Sequence, residues 1–166
     1  MIIETERLYL REMTENDFDA LNKVLSDQSI MQYYPYVFDR TRVKNWISRN
    51  MERYRIFGFG LWAVCLKETG EMIGDCGLTM QMIDGESLPE IGYHINKNHW
   101  RKGYAKEAAA GVRDWAWANT EYPALYSYMT RDNEASVKTA AAIGMELGLL
   151  NDGTQVLTGA QLEEMD

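Results

Sequence analysis

The sequence predicts a mixed α/β fold in a single domain. Leu61 to Leu66 and Met72 to Met80 are apolar, strand-like runs separated by a short turn that contains glycine, which is typical of an antiparallel hairpin. Further along the chain, strand-like and helix-like segments alternate, and that order is typical of a mixed sheet. The chain has 166 residues, of which 46% are apolar, enough for one ordinary core. We therefore expect one domain spanning residues 1–166.

The remaining elements are predicted in chain order from capping residues and apolar periodicity. Residues 7–11 alternate polar and apolar side chains and predict a strand, after which Thr14 offers a side-chain cap for a first helix. An aromatic loop at 27–38 leads to Asp39, which opens a second helix. The later segments are a strand at 90–96, a helix at 104–119, a strand at 125–129, a helix at 134–143 ended by Gly144, and a last edge strand at 154–157.

The overall charge disfavours nucleic-acid and membrane partners. Seventeen basic and 25 acidic residues give a net charge of -8, and such a chain binds polyanions poorly. The first residues lack the pattern of a secretory signal and no run approaches the ~20 apolar residues of a membrane span, so we expect a cytoplasmic protein. Cys65 and Cys76 lack the C-x-x-C spacing of redox or zinc sites and are interpreted as buried free thiols.

Two basic segments stand out from this acidic average. Residues 40–55 and 97–113 together hold eleven of the seventeen basic residues and only two of the 25 acidic ones. The first has helical spacing, which is typical of a solvated helix face. The second surrounds Gly103 at the predicted start of a helix, where unpaired backbone N–H groups and the helix dipole favour a bound anion.

The segment from Trp100 to Ala105 is therefore a candidate phosphate loop. Gly103 would let a phosphate approach the backbone, while Arg101 and Lys102 add positive charge. On local grounds the same residues are equally an ordinary helix start, and both interpretations stay open. The sequence contains no G-x-x-x-x-G-K-[ST], no H-E-x-x-H and no G-x-S-x-G, which argues against P-loop, zinc and serine-triad chemistry.

Several segments together form a wider pattern. They are Glu4 to Arg11, Ile73 to Leu78, Glu90 to Ile95, the loop at 100–105, and the N-x-x-S run of Asn133 and Ser136 before Gly144. This pattern resembles the GNAT acyl-coenzyme A N-acyltransferases, and within them the RimJ/RimL-type branch that acetylates protein N-terminal amines. The loop matches the signature Q/R-x-x-G-x-G/A at Gly103 and Ala105, with Trp100 in the first position; Met145 replaces the aromatic residue that ends the later signature.

The resemblance implies a fold and a co-substrate. It implies a central, mixed, mostly antiparallel twisted sheet flanked by about four helices, with acetyl-coenzyme A as the acetyl donor and no metal. The backbone amides of Arg101, Lys102, Gly103, Tyr104 and Ala105 would hold the pyrophosphate. The strand around His94 and Ile95 would pair with the pantetheine arm, and Asn133 would contact it. Independently of the resemblance, Asn is a good helix N-cap, and one side chain can serve both roles.

The resemblance also implies candidate catalytic residues. Glu90 corresponds to a family carboxylate and would act as the base, directly or through water, although a solvated strand-end acid is the alternative. Asp75 on the neighbouring strand is the alternate base. Ser136 would protonate the departing thiolate, and a simple helix cap is the alternative for this hydroxyl.

The acceptor remains open at this level. Tyr33, Tyr34 and Tyr36 in the aromatic loop offer amphipathic walls for an acceptor cleft, and core packing is the alternative for each of them. The acidic surface suits a cationic acceptor such as a peptide N-terminus, a polyamine, an aminoglycoside or an amino acid. A sensor that binds acyl-coenzyme A without transferring the acyl group is a further alternative, and dimerisation is left open.

Overall fold

The computed structural model describes residues 1–130, 133–149 and 155–161, and this part of the chain holds four α-helices and eight strands. The helices are α1 (Phe18–Leu25), α2 (Arg40–Phe57), α3 (Tyr104–Asn119) and α4 (Glu134–Ala142). The strands are β1 (Ile3–Glu4), β2 (Leu8–Arg11), β3 (Leu61–Leu66), β4 (Met72–Ile83), β5 (Glu86–Ile95), β6 (Ala124–Thr130), β7 (Glu146–Leu149) and β8 (Gln155–Gln161).

All eight strands join one sheet, in the order β1-β2-β3-β4-β5-β6-β8-β7. The β5/β6 pair is parallel and the other neighbouring pairs are antiparallel, which confirms the mixed, mostly antiparallel sheet with four helices. The prediction of an edge strand at 154–157 is wrong in its position. Strand β8 is paired on both sides, with β6 and with β7, so the edge is β7, and Thr154 lies outside the described residues.

The helices cover the two faces of the sheet. Because successive residues of a strand point to opposite faces, β4 presents Cys76 and Leu78, two residues apart, to one apolar cluster, while Ala63 of β3 joins the other. The first cluster packs against α3 through residues such as Val112, and the second packs against α1 and α2. Strand β5 therefore separates an α3 side of the molecule from an α1/α2 side.

Strands β4 and β5 form a long hairpin around a two-residue turn. Asp84 and Gly85 both have left-handed backbones, with φ of 49° and 82°, as a type I′ turn requires. From sequence we expect β5 to begin at Glu90, whereas it begins at Glu86 because this turn extends the pairing. The resulting register places Asp75 directly opposite His94.

Strands β5 and β6 pair over a short stretch only. Their register is described at Glu90 and Tyr126, and the Ser127 hydroxyl donates to the Ile91 carbonyl at 3.0 Å. Strand β6 is paired along its full length with β8 on its other side. Among residues 1–130, the contact between β5 and β6 ends at Ile91, and the edge of β5 at residues 92–95, which has no ladder to β6 in this part of the chain, is called the gap below.

Both cysteines are buried and unpaired, as predicted. Burial raises the pKa of the Cys76 thiol well above its ordinary value, and burial likewise raises that of Cys65. Both thiols are therefore protonated near neutral pH and unsuited to nucleophilic catalysis.

Candidate active site

The start of α3 has the geometry of an anion site. Arg101 and Gly103 have φ of 64° and 81°, so two left-handed residues flank Lys102 immediately before the helix. Alternating backbone handedness turns successive N–H groups toward one point and forms a concave nest. Gly103 is the N-cap and has no side chain to occupy the first-turn amides, which carry the positive end of the helix dipole.

Arg7 adds a positive charge beside this loop. One of its terminal nitrogens lies 3.4 Å from where a Cβ on Gly103 would stand, and its guanidinium sits 4.4 Å from the centre of the Tyr104 ring. The backbone and side chain of Arg7 donate to Glu107 at 2.8 and 2.7 Å. Burial acts to raise the pKa of Glu107, but hydrogen bonds from Thr5 and Arg7 outweigh it and lower that pKa. Sequence reasoning missed Arg7, which is distant in sequence from the loop.

Trp100 anchors the loop to the end of β5. Its indole N–H donates to the carbonyl of Ile95 at 2.8 Å, while 44% of the residue stays exposed. This hydrogen bond from Trp100 joins the loop at 100–105 to the end of β5. It fixes the position of the nest relative to the gap.

The backbone groups of β5 that face the gap belong to Tyr93 and Ile95. The Asn96 N–H bonds to Ile73 of β4, and hydrogen bonding alternates from one side of a strand to the other, so His94 also faces β4 with its backbone. Consistently, the His94 carbonyl would lie 1.9 Å from a Cβ built on Gly74. The strand around His94 and Ile95, predicted to pair with the pantetheine arm, thus offers the backbone of Ile95 on the gap side, while the backbone of His94 faces β4.

The side chain of His94 lies in a hydrogen-bonded chain on the opposite, α1/α2 side. Its Nδ1 is 2.8 Å from Oδ1 of Asp75, and its Nε2 is 3.0 Å from the hydroxyl of Tyr34. The other carboxylate oxygen of Asp75 accepts from the indole N–H of Trp46 at 2.9 Å. Asp75 is 0% exposed, and a buried carboxylate requires such partners.

Aromatic rings enclose this chain. Trp46 lies edge-on to His94, with ring centres 5.4 Å apart, and Phe38 and Tyr34 pack against each other at 5.5 Å. The aromatic loop also borders a cavity of about 360 Å³. Of the three predicted tyrosines, Tyr34 reaches the site, whereas Tyr33 and Tyr36 are 38% and 43% exposed on the same loop.

Glu90 lies on the same face of β5 as His94, four residues away. Four residues of a strand span about 13 Å between Cα atoms, so the two side chains leave this face at points well separated along the strand. Burial raises the pKa of the Tyr34 hydroxyl, and the charges of Asp75 and Glu90 raise it further. Tyr34 is therefore a neutral phenol near neutral pH.

The start of α4 carries Asn133 and Ser136. The Asn133 side-chain oxygen accepts from the Ser136 N–H at 3.3 Å, which confirms the predicted N-cap. The Tyr93 hydroxyl donates to the Ser136 carbonyl at 3.2 Å and so joins the start of α4 to the gap-facing side of β5. Asn133 and Ser136 thus stand on the α3 side, away from the His94 side chain.

The described residues contain neither a group of metal ligands nor a membrane-spanning helix. Across residues 1–130, 133–149 and 155–161, no three His, Cys, Asp or Glu side chains are grouped as metal ligands would be. Within the same ranges, none of the helices combines the length and the apolar character needed to span a bilayer.

The chain is similar to acetyltransferases in sequence and in fold. A family described as the Acetyltransferase (GNAT) domain matches residues 7–146. The chain is 31% identical over 153 residues to an uncharacterised N-acetyltransferase of Bacillus licheniformis, covering 89% of this chain and 84% of that protein. An acetyltransferase structure from Agrobacterium tumefaciens is 28% identical, with a TM-score of 0.81 over 96% of this chain and 93% of the other. The ribosomal α-N-protein acetyltransferase RimL, solved with coenzyme A, is 17% identical and has a TM-score of 0.76 over 96% and 97% of the two chains, a likeness of fold alone.

Proposed function

Because this chain belongs to the GNAT acetyltransferase family, we propose that it transfers the acetyl group of acetyl-coenzyme A to a primary amine by direct attack in a ternary complex. The family makes the protein an acyltransferase, and the GNAT fold uses acetyl-coenzyme A. One observation carries the proposal. Strand β5 separates an anion-binding nest on its α3 side from a cleft of titratable side chains on its α1/α2 side.

The residues of the loop fit a pyrophosphate. The amides of Arg101, Lys102, Gly103, Tyr104 and Ala105 would hold it, and the Arg7 guanidinium beside Gly103 would add charge from outside the loop. The pantetheine arm would run along the gap-facing edge of β5, where Tyr93 and Ile95 offer backbone groups. Asn133 would contact the arm with the amide N–H₂ that its cap leaves unused.

The chemistry requires a neutral amine. At pH 7, deprotonation costs about 1.4 kcal/mol for an α-amine of pKa near 8 and roughly 4.6 kcal/mol for a lysine of pKa near 10.4. A base in the cleft is thus useful for either acceptor and essential for a lysine-like one. Two carboxylates are candidates for this role: Glu90 of β5, and Asp75, which is buried behind His94 and would act through it. Ser136 is proposed to donate to the departing sulfur.

For the acceptor, we propose a protein or peptide N-terminal α-amine. Its lower pKa supports this choice, as does the RimJ/RimL-like pattern of the sequence. RimL, by its name, acts on the α-amine of a ribosomal protein. Small cationic amines, namely polyamines, aminoglycosides and amino acids, are the second candidate class, since the net charge of -8 favours any cationic acceptor.

The test is thiol release from acetyl-coenzyme A in the presence of separate pools of acceptors. The pools are peptides with Ser, Thr or Ala N-termini, polyamines, aminoglycosides and free amino acids. We expect release with the peptide pool and its loss when the peptide amines are blocked beforehand. Release with a small-amine pool alone would reject the peptide acceptor. Tight coenzyme A binding with no release from any pool would reject transfer and favour a sensor of acyl-coenzyme A.

A further inference from the structure

We propose that Tyr34, His94 and Asp75 form a proton relay that serves as the general base of the acetyl transfer. The inference rests on the proposed function and adds the identity of the base. The relay joins the aromatic loop, β5 and β4 by contacts of 3.0 Å between Tyr34 and His94 and 2.8 Å between His94 and Asp75.

Asp75 cannot itself reach an acceptor. The residue is 0% exposed, and its two oxygens accept separately from Trp46 and His94. An ionised carboxylate has only acceptor oxygens, so the imidazole nitrogen that faces it carries a proton. When the imidazole is neutral, Nε2 therefore has the free lone pair, and it points at the Tyr34 hydroxyl. Asp75 thus positions His94 and stabilises the imidazolium, but it does not touch the acceptor.

Tyr34 is the outer end of the relay. It lines the cavity beside the aromatic loop, and its hydroxyl is hydrogen-bonded to His94 Nε2. Because burial and two nearby carboxylates raise its pKa, Tyr34 does not become a stable phenolate. It can accept a proton only while it passes its own proton to Nε2.

The proton balance closes with the groups named. An ammonium group that becomes an amide nitrogen loses two protons, of which the first goes to water and the second to Tyr34 Oη. As Oη receives that proton, its own moves to His94 Nε2, and Asp75 balances the new positive charge. The C–N bond forms, the thioester C–S bond breaks, and the departing sulfur takes the hydroxyl proton of Ser136. The proton held on Nε2 returns through Oη and water to restore the Ser136 hydroxyl. The relay is then back in its starting state.

This assignment gives Glu90 a different role from the base. Glu90 lies four residues from His94 along β5, about 13 Å of strand at roughly 3.3 Å per residue, and its carboxylate would attract the cationic acceptor. Substitution of Glu90 by Gln is then expected to raise the KM for the amine more than it lowers kcat. If Glu90 were the base, the same change would lower kcat with little effect on KM.

The experiment compares kcat in His94→Gln, Tyr34→Phe and Asp75→Asn, with His99→Gln as a matched control. His99 is the other of the two histidines and also pairs with a carboxylate, that of Glu71 at 2.9 Å, but lies outside the relay. General acid–base catalysis contributes 10²–10⁴-fold, so we expect kcat to fall roughly a hundredfold or more in each relay variant and less than twofold in the control. The dissociation constant of coenzyme A should change less than about twofold in all of them.

A second readout does not depend on turnover. Nitrogen NMR of the His94 ring, at a pH where the imidazole is neutral, should show the Nδ1–H tautomer in the wild type. Asp75→Asn presents an amide N–H to Nδ1 and should shift the ring to the Nε2–H tautomer, because donor and acceptor are then exchanged.

The outcomes separate the relay from the proposed function. A kcat within about threefold of wild type in both His94→Gln and Tyr34→Phe would overturn the relay while acetyl transfer stands. An Nε2–H tautomer in the wild type would overturn it as well. No thiol release from the wild type with any amine would remove the proposed function and the relay with it. Should Asp75→Asn fail to fold, Tyr34→Phe still decides the question, because it removes one oxygen and keeps the ring packing.

Discussion

The candidate sites on the two sides of β5 are built in different ways. On the α3 side, the nest at residues 100–105 is continuous in sequence and made of backbone amides shaped by left-handed residues. On the α1/α2 side, the relay gathers single side chains from a loop, a helix and two strands, namely Tyr34, Trp46, Asp75 and His94. A site made of backbone depends on φ and on the absence of a Cβ, whereas one made of side chains depends on each donor and acceptor.

The largest effect is expected from Asp75→Leu, measured as the free energy of unfolding in urea. The change leaves the Trp46 N–H and the His94 Nδ1–H buried without an acceptor. Such losses cost about 1–3 kcal/mol for each group, so we expect destabilisation by about 3 kcal/mol. Asp114→Leu is the control, because the Asp114 side chain, which pairs with Arg113, is 63% exposed, and the pair should contribute less than about 1 kcal/mol. A loss below 1 kcal/mol in Asp75→Leu would mean that the relay is not held as described.

The next largest effect concerns the nest. Gly103→Val places a branched side chain at φ of 81°, where strain costs about 1–3 kcal/mol and the added Cβ comes within 3.4 Å of Arg7. We expect the dissociation constant of coenzyme A, measured by calorimetry, to rise roughly thirtyfold, equivalent to about 2 kcal/mol.

Gly85→Val is the matched control for this prediction. Gly85 has φ of 82° and nothing within 4 Å of its added Cβ, so it carries the same backbone strain at a distant turn. It should lower stability and leave coenzyme A affinity unchanged. Equal coenzyme A affinity in wild type and Gly103→Val would reject the phosphate-loop assignment.

A smaller effect is expected at the start of α4. Asn133→Ala removes the cap of the Ser136 N–H and should reduce the free energy of unfolding by about 1 kcal/mol. Asn133→Ser retains a capping oxygen and should restore most of that stability, but it lacks the amide N–H₂ proposed to contact the pantetheine arm. Several-fold weaker coenzyme A binding in both variants would support the double role. Unchanged binding in Asn133→Ser would show that Asn133 acts only as the helix cap.

The smallest effect is expected at Asp27, the first residue of the aromatic loop. Asp27 accepts from Ser29 and pairs with Lys97 at 2.9 Å, which joins the loop to the segment that follows β5. The hydrogen bond from Ser29, and then Lys97, lower the pKa of Asp27 to about 2. A lowered pKa in the folded state stabilises the fold above the ordinary pKa near 3.9, and this stabilisation is lost as the pH falls toward 2.

We therefore expect Asp27→Asn to be less stable than wild type by about 0.5 kcal/mol at neutral pH, as for a surface pair. The difference should shrink as the pH falls from 5 to 2, as measured by urea unfolding at each pH. A difference that is constant with pH would show that Asp27 acts through packing and not through its charge.

The sequence predicted the nest better than the relay because the nest is local. Gly103, the helix that follows it and the cap at Asn133 are all set by residues within one or two turns of each other, and the structure places them as predicted. The last edge strand was misplaced because the partners of a strand are distant in sequence. Local patterns give the strand and do not give its neighbours.

The pairing of Asp75 with His94 could nevertheless have been predicted from the sequence. Asp84-Gly85 is a strong signal for a two-residue hairpin turn, and such a turn fixes the register of both strands. Asp75 lies nine residues before Asp84, and His94 lies nine residues after Gly85, so the turn alone pairs them. The prediction that β5 begins at Glu90 missed this turn, and so it also missed the pairing of Asp75 with His94.

The sequence by itself determined the elements, the hairpins and the loop at 100–105 that opens α3, because caps, turns and apolar periodicity act over a few residues. It also carried the family pattern that the GNAT match confirms. Only the tertiary structure decided that Tyr34 and Trp46 meet at Asp75 and His94, that His94 presents its side chain and not its backbone to the site, and that Arg7 stands beside Gly103. These contacts join residues far apart in the chain, and they depend on how the helices and the aromatic loop pack on the sheet.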